Sequence, residues 1–291
     1  ITLCKQAIDW KKNKNAAYEI SQVNFNTSAS DYAPVPIGPG TLLFTSDRDS
    51  KETTESYLWT GRSFSDLYVF KNATQEVTPF DEVINSPDNE GTAILSPDGQ
   101  MLVFTRCYSG QAYDAWCKLM YSYKRGNVWQ EPEPFPFIRD EVNYGHPAFA
   151  ANGTTLFFSS DAPEGQGGHD IYFTQVDGSG NWAEPVNLGT FINTIGQEQY
   201  PTVYKDTLFY SSDRLAGLGG LDIFKTYLNA EGQWVPPINL RSPLNSGADD
   251  FGLIVDTFAT PEENVLMQGF FTSSRGGAAR NDDIFAFTLK G

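Results

Sequence analysis

Residues Glu198 to Leu240 read EQYPTVYKDTLFYSSDRLAGLGGLDIFKTYLNAEGQWVPPINL. An earlier stretch, Tyr144 to Leu188, repeats the same order of features as YGHPAFAANGTTLFFSSDAPEGQGGHDIYFTQVDGSGNWAEPVNL. Both copies have a proline in the first segment, an LF-F/Y-SSD segment, a GG-x-D-I-F/Y segment, and a tryptophan followed by Pro and NL. A repeat of this length indicates a fold assembled from one supersecondary unit.

Weaker copies of the same unit begin at Asp31, Glu90 and Asp250. The first continues to SDLYVF, the second through KLMYSY and WQEPEPF, and the last through GFFTSSRGG and NDDIFAF. The units therefore start near residues 31, 90, 144, 198 and 250, at nearly even intervals. This regularity makes the repeat the organising feature of the chain.

Each unit has the pattern of four short strands. A half-buried first strand such as Tyr200 to Tyr204 is followed by a tight turn, and an apolar second strand leads through a glycine-rich loop to a third strand. The fourth strand, Trp234 to Leu240, contains prolines that cannot donate a ladder hydrogen bond, so it should be the outer edge of its sheet. Four-stranded repeating units of this kind are typical of propeller blades.

The two ends of the chain complement each other. The fifth unit stops after its third strand, near Leu289, whereas Ala17 to Phe25 is a strand without a unit. A stacked solenoid would instead need polar caps. We therefore predict an all-β, five-bladed β-propeller over residues 17–291, closed by the N-terminal strand completing the last blade. Residues 1–16 are a lead-in that could be the end of an upstream domain, and could start with a short helix.

The charge balance is acidic, with 20 basic and 36 acidic side chains and a formal charge of -16. Phosphate contacts need clustered Lys and Arg, so nucleic acid is not an expected partner, and anionic membrane surfaces are disfavoured for the same reason. No stretch approaches the roughly 20 apolar residues of a spanning helix, which argues against direct membrane insertion. The charge indicates either solubility or an acidic patch for a cation or a basic partner.

Two sets of repeated acids are candidate functional residues. The first set follows an Asn-Ser/Thr motif between units and comprises Asp31, Glu90, Glu198 and Asp250. These acids would cluster at one channel mouth as a cation or basic-peptide site, or they cap the turn. The second set begins third strands and comprises Asp66, Asp170, Asp222 and Asp283. These are metal ligands or general acids, or they fix the blade corner. Repetition favours the structural interpretation of both sets.

One loop and one cysteine pair break the symmetry of the repeat. The longest loop contains Tyr57, Leu58 and Trp59, which suggests an interaction surface, although packing of Trp59 is an equal alternative. Cys107 and Cys117 flank a polar turn, and they would form a disulfide if that turn joins paired strands in an oxidising compartment. Otherwise they are two separate thiols. With only two histidines in the chain, we predict no metal site and no cofactor.

Signatures of catalysis are missing from the sequence. It contains neither a GxSxG elbow nor an HExxH motif. Glycosidases need individual carboxylates with distinct roles, whereas the acids here are repeated. We therefore expect a chain that catalyses nothing. The alternatives are a carbohydrate-binding or glycoside-active five-bladed propeller, and a cation-binding propeller.

The motifs SSD-R…G-x-GG-x-D-I-F/Y, W-x-x-P-x-N-L and N-S/T-x-x-x-D/E resemble the PD40 (WD40-like) repeats of TolB-type propellers. The GLGGLDIF and INL…LNS segments are similar to one branch, the propellers of Bacteroidetes OmpA-family outer-membrane lipoproteins, which includes a component of the type IX secretion system. The resemblance implies a non-enzymatic, periplasmic, outer-membrane-associated scaffold that binds protein partners in the cell envelope. It also implies contact with peptidoglycan only through a domain that is not in this chain.

Overall fold

Five antiparallel sheets surround a central channel in the computed structural model, which describes residues 2–48, 64–108, 116–260, 262–276 and 281–291. Before the ring come the helix α1 (Thr2–Lys12) and the strand β1 (Tyr18–Gln22). Blade 1 consists of β2 (Asp31–Gly38), β3 (Thr41–Ser46), β4 (Asp66–Lys71) and β5 (Glu76–Pro79). Blade 2 consists of β6 (Asn89–Leu95), β7 (Met101–Cys107), β8 (Cys117–Arg125), β9 (Val128–Trp129) and β10 (Glu133–Pro134).

The remaining blades have the same order of strands. Blade 3 consists of β11 (Tyr144–Phe149), β12 (Thr155–Ser160), β13 (Asp170–Gln175) and β14 (Val186–Asn187). Blade 4 consists of β15 (Glu198–Tyr204), β16 (Thr207–Ser212), β17 (Asp222–Tyr227) and β18 (Ile238–Asn239). Blade 5 consists of β19 (Asp250–Val255), β20 (Val265–Ser273) and β21 (Asp283–Lys290), with β1 as its outer strand. The predicted five-bladed β-propeller is confirmed.

The N-terminal strand closes the ring, as the sequence predicts. β1 pairs antiparallel with β21, with Tyr18 opposite Leu289 and Gln22 opposite Phe285. The strand is shorter than the predicted Ala17 to Phe25, because the chain turns away after Val23 and the Phe25 ring stacks on Phe70 at 4.2 Å. Closure supplies the outer strand of blade 5, so the last blade has four strands like the others.

The outer strands are shorter than expected. In blade 4 the predicted fourth strand, Trp234 to Leu240, contributes only β18, together with an isolated bridge between Leu228 and Trp234. Pro236 and Pro237 lie between the two contacts, and proline has no N–H to donate to a ladder. The proline pair therefore interrupts the fourth strand.

The hydrophobic core is divided among the interfaces between neighbouring blades. Within the described residues it forms five clusters. At the junction between blades 5 and 1, for example, Ile284 packs with Phe44 and Phe70. Buried asparagines complete these interfaces: the Asn245 amide accepts the Ile223 N–H at 2.7 Å and donates to the Ile223 carbonyl at 2.9 Å. Asn26, Asn85 and Asn193 bridge the equivalent residues of their blades.

The lead-in residues contain the helix α1, which packs against the ring between blades 4 and 5. The Trp10 side chain is buried and lies under the Arg241 guanidinium at 5.0 Å, while the Asn15 N–H donates to the Ser242 carbonyl at 2.6 Å. In the part of the chain that the structure describes, no helix combines the length and the apolar character needed to cross a membrane.

Candidate functional site

One residue in each inner strand interrupts the ladder and lines the channel. The register of every inner strand shifts by a bulge, and a residue inside each bulge has a positive φ of 46° to 63°. These channel-ring residues are Ala33, Thr92, His146, Tyr200 and Gly252. Positive φ disfavours every residue except glycine, so the bulge must impose it on the other four.

The preceding blade holds the backbone of the channel ring. The N–H of Ala33 donates to Thr272 Oγ1 at 3.0 Å, and the N–H of Thr92 donates to Thr45 Oγ1 at 2.9 Å. His146 makes the same contact with a threonine of blade 2, at 3.3 Å. The backbone of the ring is therefore fixed by the fold, while its side chains differ from blade to blade.

Aromatic residues fill one side of the channel. The Tyr200 ring lies 3.8 Å from the His146 ring and 4.4 Å from the Phe251 ring, measured between centroids. On the opposite side the ring residues Ala33 and Thr92 are small. This arrangement leaves an aromatic shelf beside open space, and the passage between the two mouths narrows to a cavity of about 40 Å³.

The mouth on the face of the blade connections opens into a cavity of about 350 Å³, which we call the connection-side cavity. Its lining combines aromatic rings with amide and hydroxyl groups. The lining includes Tyr32, Glu90, Asn143, His146, His169, Gln199 and Tyr200. A cavity of this size with a few convergent polar groups is the usual form of a small-ligand site.

His146 is held as a neutral imidazole in this cavity. Burial lowers its pKa to about 3, and the neighbouring His169 contributes in the same direction. Its Nδ1 lies 2.6 Å from Ser159 Oγ, and Ser159 is buried. The serine therefore orients the imidazole and has no access to a ligand.

Carboxylates are scarce in the same cavity. Within the described lining of the cavity, Glu90 is the one carboxylate. Burial raises its pKa to about 7, although Ser86 and Arg106 lower it by hydrogen bonding. Arg106 Nε donates to Glu90 Oε1 at 2.7 Å, so an arginine of the same blade binds the Glu90 carboxyl.

The opposite mouth has a different chemical character. Its cavity of about 540 Å³ is lined mainly by the ends of the inner strands, including Ile37, Leu95, Phe149 and Tyr204. These side chains are largely apolar, whereas the connection-side cavity is rich in hydrogen-bonding groups. The two ends of the channel therefore suit different ligands.

The acids between units lie inside the blades. Asp31, Glu90, Glu198 and Asp250 are fully buried at the start of their inner strands. Each accepts hydrogen bonds from the preceding connection: Thr27 N–H donates to Asp31 at 2.6 Å and Ser246 N–H donates to Asp250 at 2.5 Å. Their side chains therefore cap the turns, and within the described lining only Glu90 borders the connection-side cavity.

The acids at the blade corners contact loop and outer-strand amides. Asp170 accepts the Gln166 N–H at 2.5 Å and the Asn187 amide at 2.8 Å. Asp222 makes the equivalent contacts with Leu218 and Asn239, both at 2.7 Å. Burial raises the pKa of Asp66 and of Asp222 to about 6 and also raises that of Asp283.

The sequence analysis also predicted an interaction loop, a possible disulfide and no metal site. Tyr57, Leu58 and Trp59 lie outside the described residues. Cys107 and Cys117 face each other across β7 and β8 and are joined by a disulfide at the border of the connection-side cavity. Across the described ranges, no group of three or more His, Cys, Asp or Glu side chains is arranged to hold a metal ion.

Sequence reasoning missed the channel ring. Its residues lie two positions after the first residue of each aligned repeat, where the five copies read Ala, Thr, His, Tyr and Gly. The neighbouring positions vary less, because they serve the fold. Variation alone does not single out the ring, because the position six residues after the first also differs in all five copies.

Comparisons with known proteins establish the class of fold. No protein-family model matches the sequence, and no curated protein sequence matches it either. The endo-arabinase of Bacteroides thetaiotaomicron is similar in structure, with a TM-score of 0.55, 10% identity, and coverage of 90% of this chain and 95% of that chain. The alpha-L-arabinofuranosidase of Lactobacillus brevis has a TM-score of 0.54, 11% identity, and coverage of 96% and 93%.

A TolB-type propeller is also similar. TolB of Acinetobacter baumannii has a TM-score of 0.45 and 14% identity, with coverage of 90% of this chain and 55% of that chain. At 10% and 11% identity, the similarities to the arabinase and the arabinofuranosidase establish the fold alone and leave the reaction open. The finer resemblance to OmpA-family lipoproteins of a secretion assembly has no support among these structures.

One expectation needs correction. The sequence led us to expect a chain that catalyses nothing, because its acids are repeated and familiar catalytic motifs are missing. That expectation is contradicted by the similar structures, most of which are glycosidases with this fold. The error came from considering only the repeated acids as candidate site residues. The channel is lined by residues that differ from blade to blade.

Proposed function

We propose that the connection-side cavity binds a carbohydrate. The observation that carries this proposal is the aromatic shelf of His146 and Tyr200 beside a cavity of ligand size that also contains Asn143 and Gln199. A sugar ring has apolar C–H faces and a rim of hydroxyl groups, so it suits a site with an aromatic surface and several amides. Two of the similar structures are arabinan- and arabinoside-cleaving enzymes by name, which supports the same ligand class.

The charge of the cavity favours a neutral sugar. Its described lining contains neither Lys nor Arg, and the only carboxylate, Glu90, is paired with Arg106. A uronic or sialic acid would bring a carboxylate into a cavity whose described lining has no cation to bind it. Burying that charge away from water would make the free energy of binding less favourable. Neutral pentose and hexose oligosaccharides are therefore the substrates to screen first.

The test is calorimetric titration of the wild type, Tyr200→Ala and Tyr204→Ala with neutral oligosaccharides. We expect Tyr200→Ala to weaken binding by about tenfold or more, since loss of about 1.4 kcal/mol of stacking is one decade in Kd. Tyr204 lies on the same strand at the opposite mouth, so its variant should bind normally. Blades 1 and 5 have Ala33 and Gly252 at the equivalent position, so Tyr200→Ala should be compatible with the fold. Equal affinities of both variants, or no binding by the wild type, would contradict the proposal.

Glycoside cleavage is a second candidate, favoured by Glu90. A general acid works best with a pKa near the working pH, and the pKa of Glu90 is raised to about 7. Hydrolysis needs a second carboxylate as well, and the described lining of the connection-side cavity contains none besides Glu90. Screening aryl glycosides with the wild type and Glu90→Gln tests this candidate: turnover that disappears in Glu90→Gln while oligosaccharide binding persists supports it, and unchanged turnover excludes Glu90 as the acid.

A protein partner on the same face is a third candidate. Phe191 and Ile195, in the connection from blade 3 to blade 4, expose 62% and 77% of their surface. Exposed apolar patches are typical of interaction sites. If cell-envelope proteins retained by the wild type are equally retained by a Phe191→Ser, Ile195→Ser variant, this surface is not the contact.

A further inference from the structure

Because the blades are repeats, the surroundings of the buried acid at the start of the inner strand can be compared from blade to blade. In three blades the acid at the start of the inner strand forms an ion pair with an arginine of the same blade. The pairs are Asp31 with Arg48 at 2.6 Å, Glu90 with Arg106 at 2.7 Å, and Asp250 with Arg275 at 2.5 Å. The acids are fully buried in all three pairs, so each charge has a partner inside the blade.

The three guanidinium groups occupy equivalent places. They lie 5.1 to 5.4 Å from the ring centroids of Phe44, Phe104 and Phe271. Each also donates to a backbone carbonyl of the preceding connection, for example Arg106 to the Ile84 carbonyl at 2.9 Å. Every one of these blades therefore contains a built cation position between a carboxylate, a carbonyl and an aromatic ring.

Blade 3 shows that acid and arginine are lost together. It has Tyr144 where the other blades have the acid, and Ala162 where blades 1 and 5 have Arg48 and Arg275. Its ring residue remains a phenylalanine, Phe158. Blade 3 therefore lacks both the buried acid and the arginine that pairs with it in other blades.

Blade 4 has the acid without the ion pair. Glu198 is fully buried and accepts hydrogen bonds from Ser212 Oγ at 2.6 Å and from Thr194 N–H and Oγ1 at 2.7 and 2.8 Å. Arg214 stands at the position of Arg48 and Arg275, but its side chain is exposed, and among the described residues no cation pairs with Glu198.

Two buried oxygens without a hydrogen-bond partner lie beside Glu198. Asp170 is fully buried; its neighbour His169 accepts the Glu198 N–H at 2.7 Å, and Asp170 Oδ1 has no hydrogen-bond partner. Tyr210 replaces the phenylalanine of the other blades, and its hydroxyl, on a residue only 1% exposed, also has none. Tyr210 lies two residues before Ser212 on β16, on the same side of the strand. Burial raises the pKa of the Tyr210 hydroxyl, and the Glu198 charge raises it further.

The orphaned Asp170 oxygen is not sufficient by itself, since Asp222 Oδ1 lacks a partner in the same way. The difference is the neighbouring acid. Asp222 lies next to Asp250, which is paired with Arg275, whereas Asp170 lies next to Glu198, which has no cation. Only the interface between blades 3 and 4 combines two buried carboxylates, an unpartnered phenol and no countercharge within the described chain.

We propose that blade 4 binds a hard divalent cation, for which Ca²⁺ is the probe, between Glu198, Asp170 and the Tyr210 hydroxyl, at the place that arginine occupies in blades 1, 2 and 5. Two buried carboxylates without a cation are costly, so a positive charge stabilises this interface. Carboxylate and hydroxyl oxygens are the donors that such a cation prefers, and backbone carbonyls of the connection are nearby in the equivalent blades. A proton is the competitor, because burial raises the pKa of Glu198, and Asp170 raises it further.

The proposal is tested by calorimetric titration of EDTA-treated protein with Ca²⁺ at pH 7.5, together with thermal unfolding with and without Ca²⁺. We expect one Ca²⁺ per chain and a higher melting temperature in its presence. Glu198→Gln should abolish both effects, while Glu90→Gln, the same change in a blade with an arginine, should keep them. Tyr210→Phe restores the residue of the other blades and should weaken Ca²⁺ binding about tenfold.

Further variants keep the test decisive. If Glu198→Gln fails to fold, Asp170→Asn takes its place, with the same expected loss of Ca²⁺ binding. Absence of binding by the wild type, or full binding by the folded variant, overturns the proposal. Binding that arises only after Arg214→Ala also overturns it, because the arginine would then fill the site in the native chain. The titration is independent of oligosaccharide binding, so either proposal can fail alone.

Discussion

Removing the guanidinium of Arg275 should destabilise the ring far more than removing an exposed cation. The Arg275 side chain donates to Asp250 at 2.5 Å and to the Pro243 carbonyl at 2.6 Å, and it lies over the Phe271 ring. Arg275→Ala leaves a fully buried carboxylate without a countercharge. Loss of one partner of a buried pair costs about 3–5 kcal/mol in the free energy of unfolding.

Lys290→Ala is the matched control. Lys290 pairs with Glu19 at 2.6 Å in the same blade, but both side chains are about half exposed or more, at 49% and 63%. An exposed pair is worth about 0–1 kcal/mol, since water screens it. Urea unfolding of the wild type and both variants, followed by tryptophan fluorescence, gives the difference directly.

The double variant Asp250→Asn, Arg275→Ala tests the cause of the loss. It removes the buried charge together with its partner, so it should be more stable than Arg275→Ala alone. The deficit of Arg275→Ala should also shrink at low pH, because burial already raises the pKa of Asp250 and Arg275 lowers it. A loss for Arg275→Ala no larger than that for Lys290→Ala would refute the reasoning.

Three other changes have definite expected outcomes. Burial raises the pKa of Asp222 to about 6, so this carboxyl binds its proton more tightly in the folded state. Its contribution to stability is complete below its ordinary pKa, is lost as the pH rises through about 6, and is about 3 kcal/mol. Asp222→Asn should therefore flatten the decline in unfolding free energy between pH 4 and pH 7, and an unchanged slope would count against it. Asn245→Ala should cost about 3 kcal/mol in urea unfolding, because it strips both backbone partners from Ile223, while Asn181→Ala in an exposed turn should cost under about 1 kcal/mol. Cys117→Ser should lower stability by about 3 kcal/mol, as expected for opening a loop of this length, and dithiothreitol should bring the wild type to the same value but leave the variant unchanged.

The fold could be predicted because its determinants are local and repeated. The order of strand patterns in Glu198 to Leu240 recurs in the other units, except that the fifth lacks its fourth strand. The spare strand near Tyr18 matches the strand missing after Leu289. The lengths of the outer strands could not be predicted equally well. Pairing there depends on single N–H groups, and prolines such as Pro236 remove them without changing the overall pattern.

The candidate site was less predictable, because its geometry depends on a bulge. Strict alternation along an inner strand does not indicate which residue enters the channel, and Tyr200 looks like an ordinary strand residue in the sequence. Repeated motifs drew attention to acids such as Glu90 and Asp250, whose side chains turn into the blade. The stacking of His146 on Tyr200 joins two blades, and no pattern within one unit contains that information.

The side chains of the channel ring can differ while the backbone that carries them stays the same. Each of its positions has a backbone set by a bulge, in three cases with its N–H bound by a threonine of the previous blade, and the side chains range from glycine to tyrosine. A gene library randomised at codons 33, 92, 146, 200 and 252 would therefore change the lining on every side while leaving the hydrophobic clusters between the blades intact. Duplicated blades could diversify by the same route during evolution, acquiring new ligands through a handful of substitutions and without rebuilding the sheet.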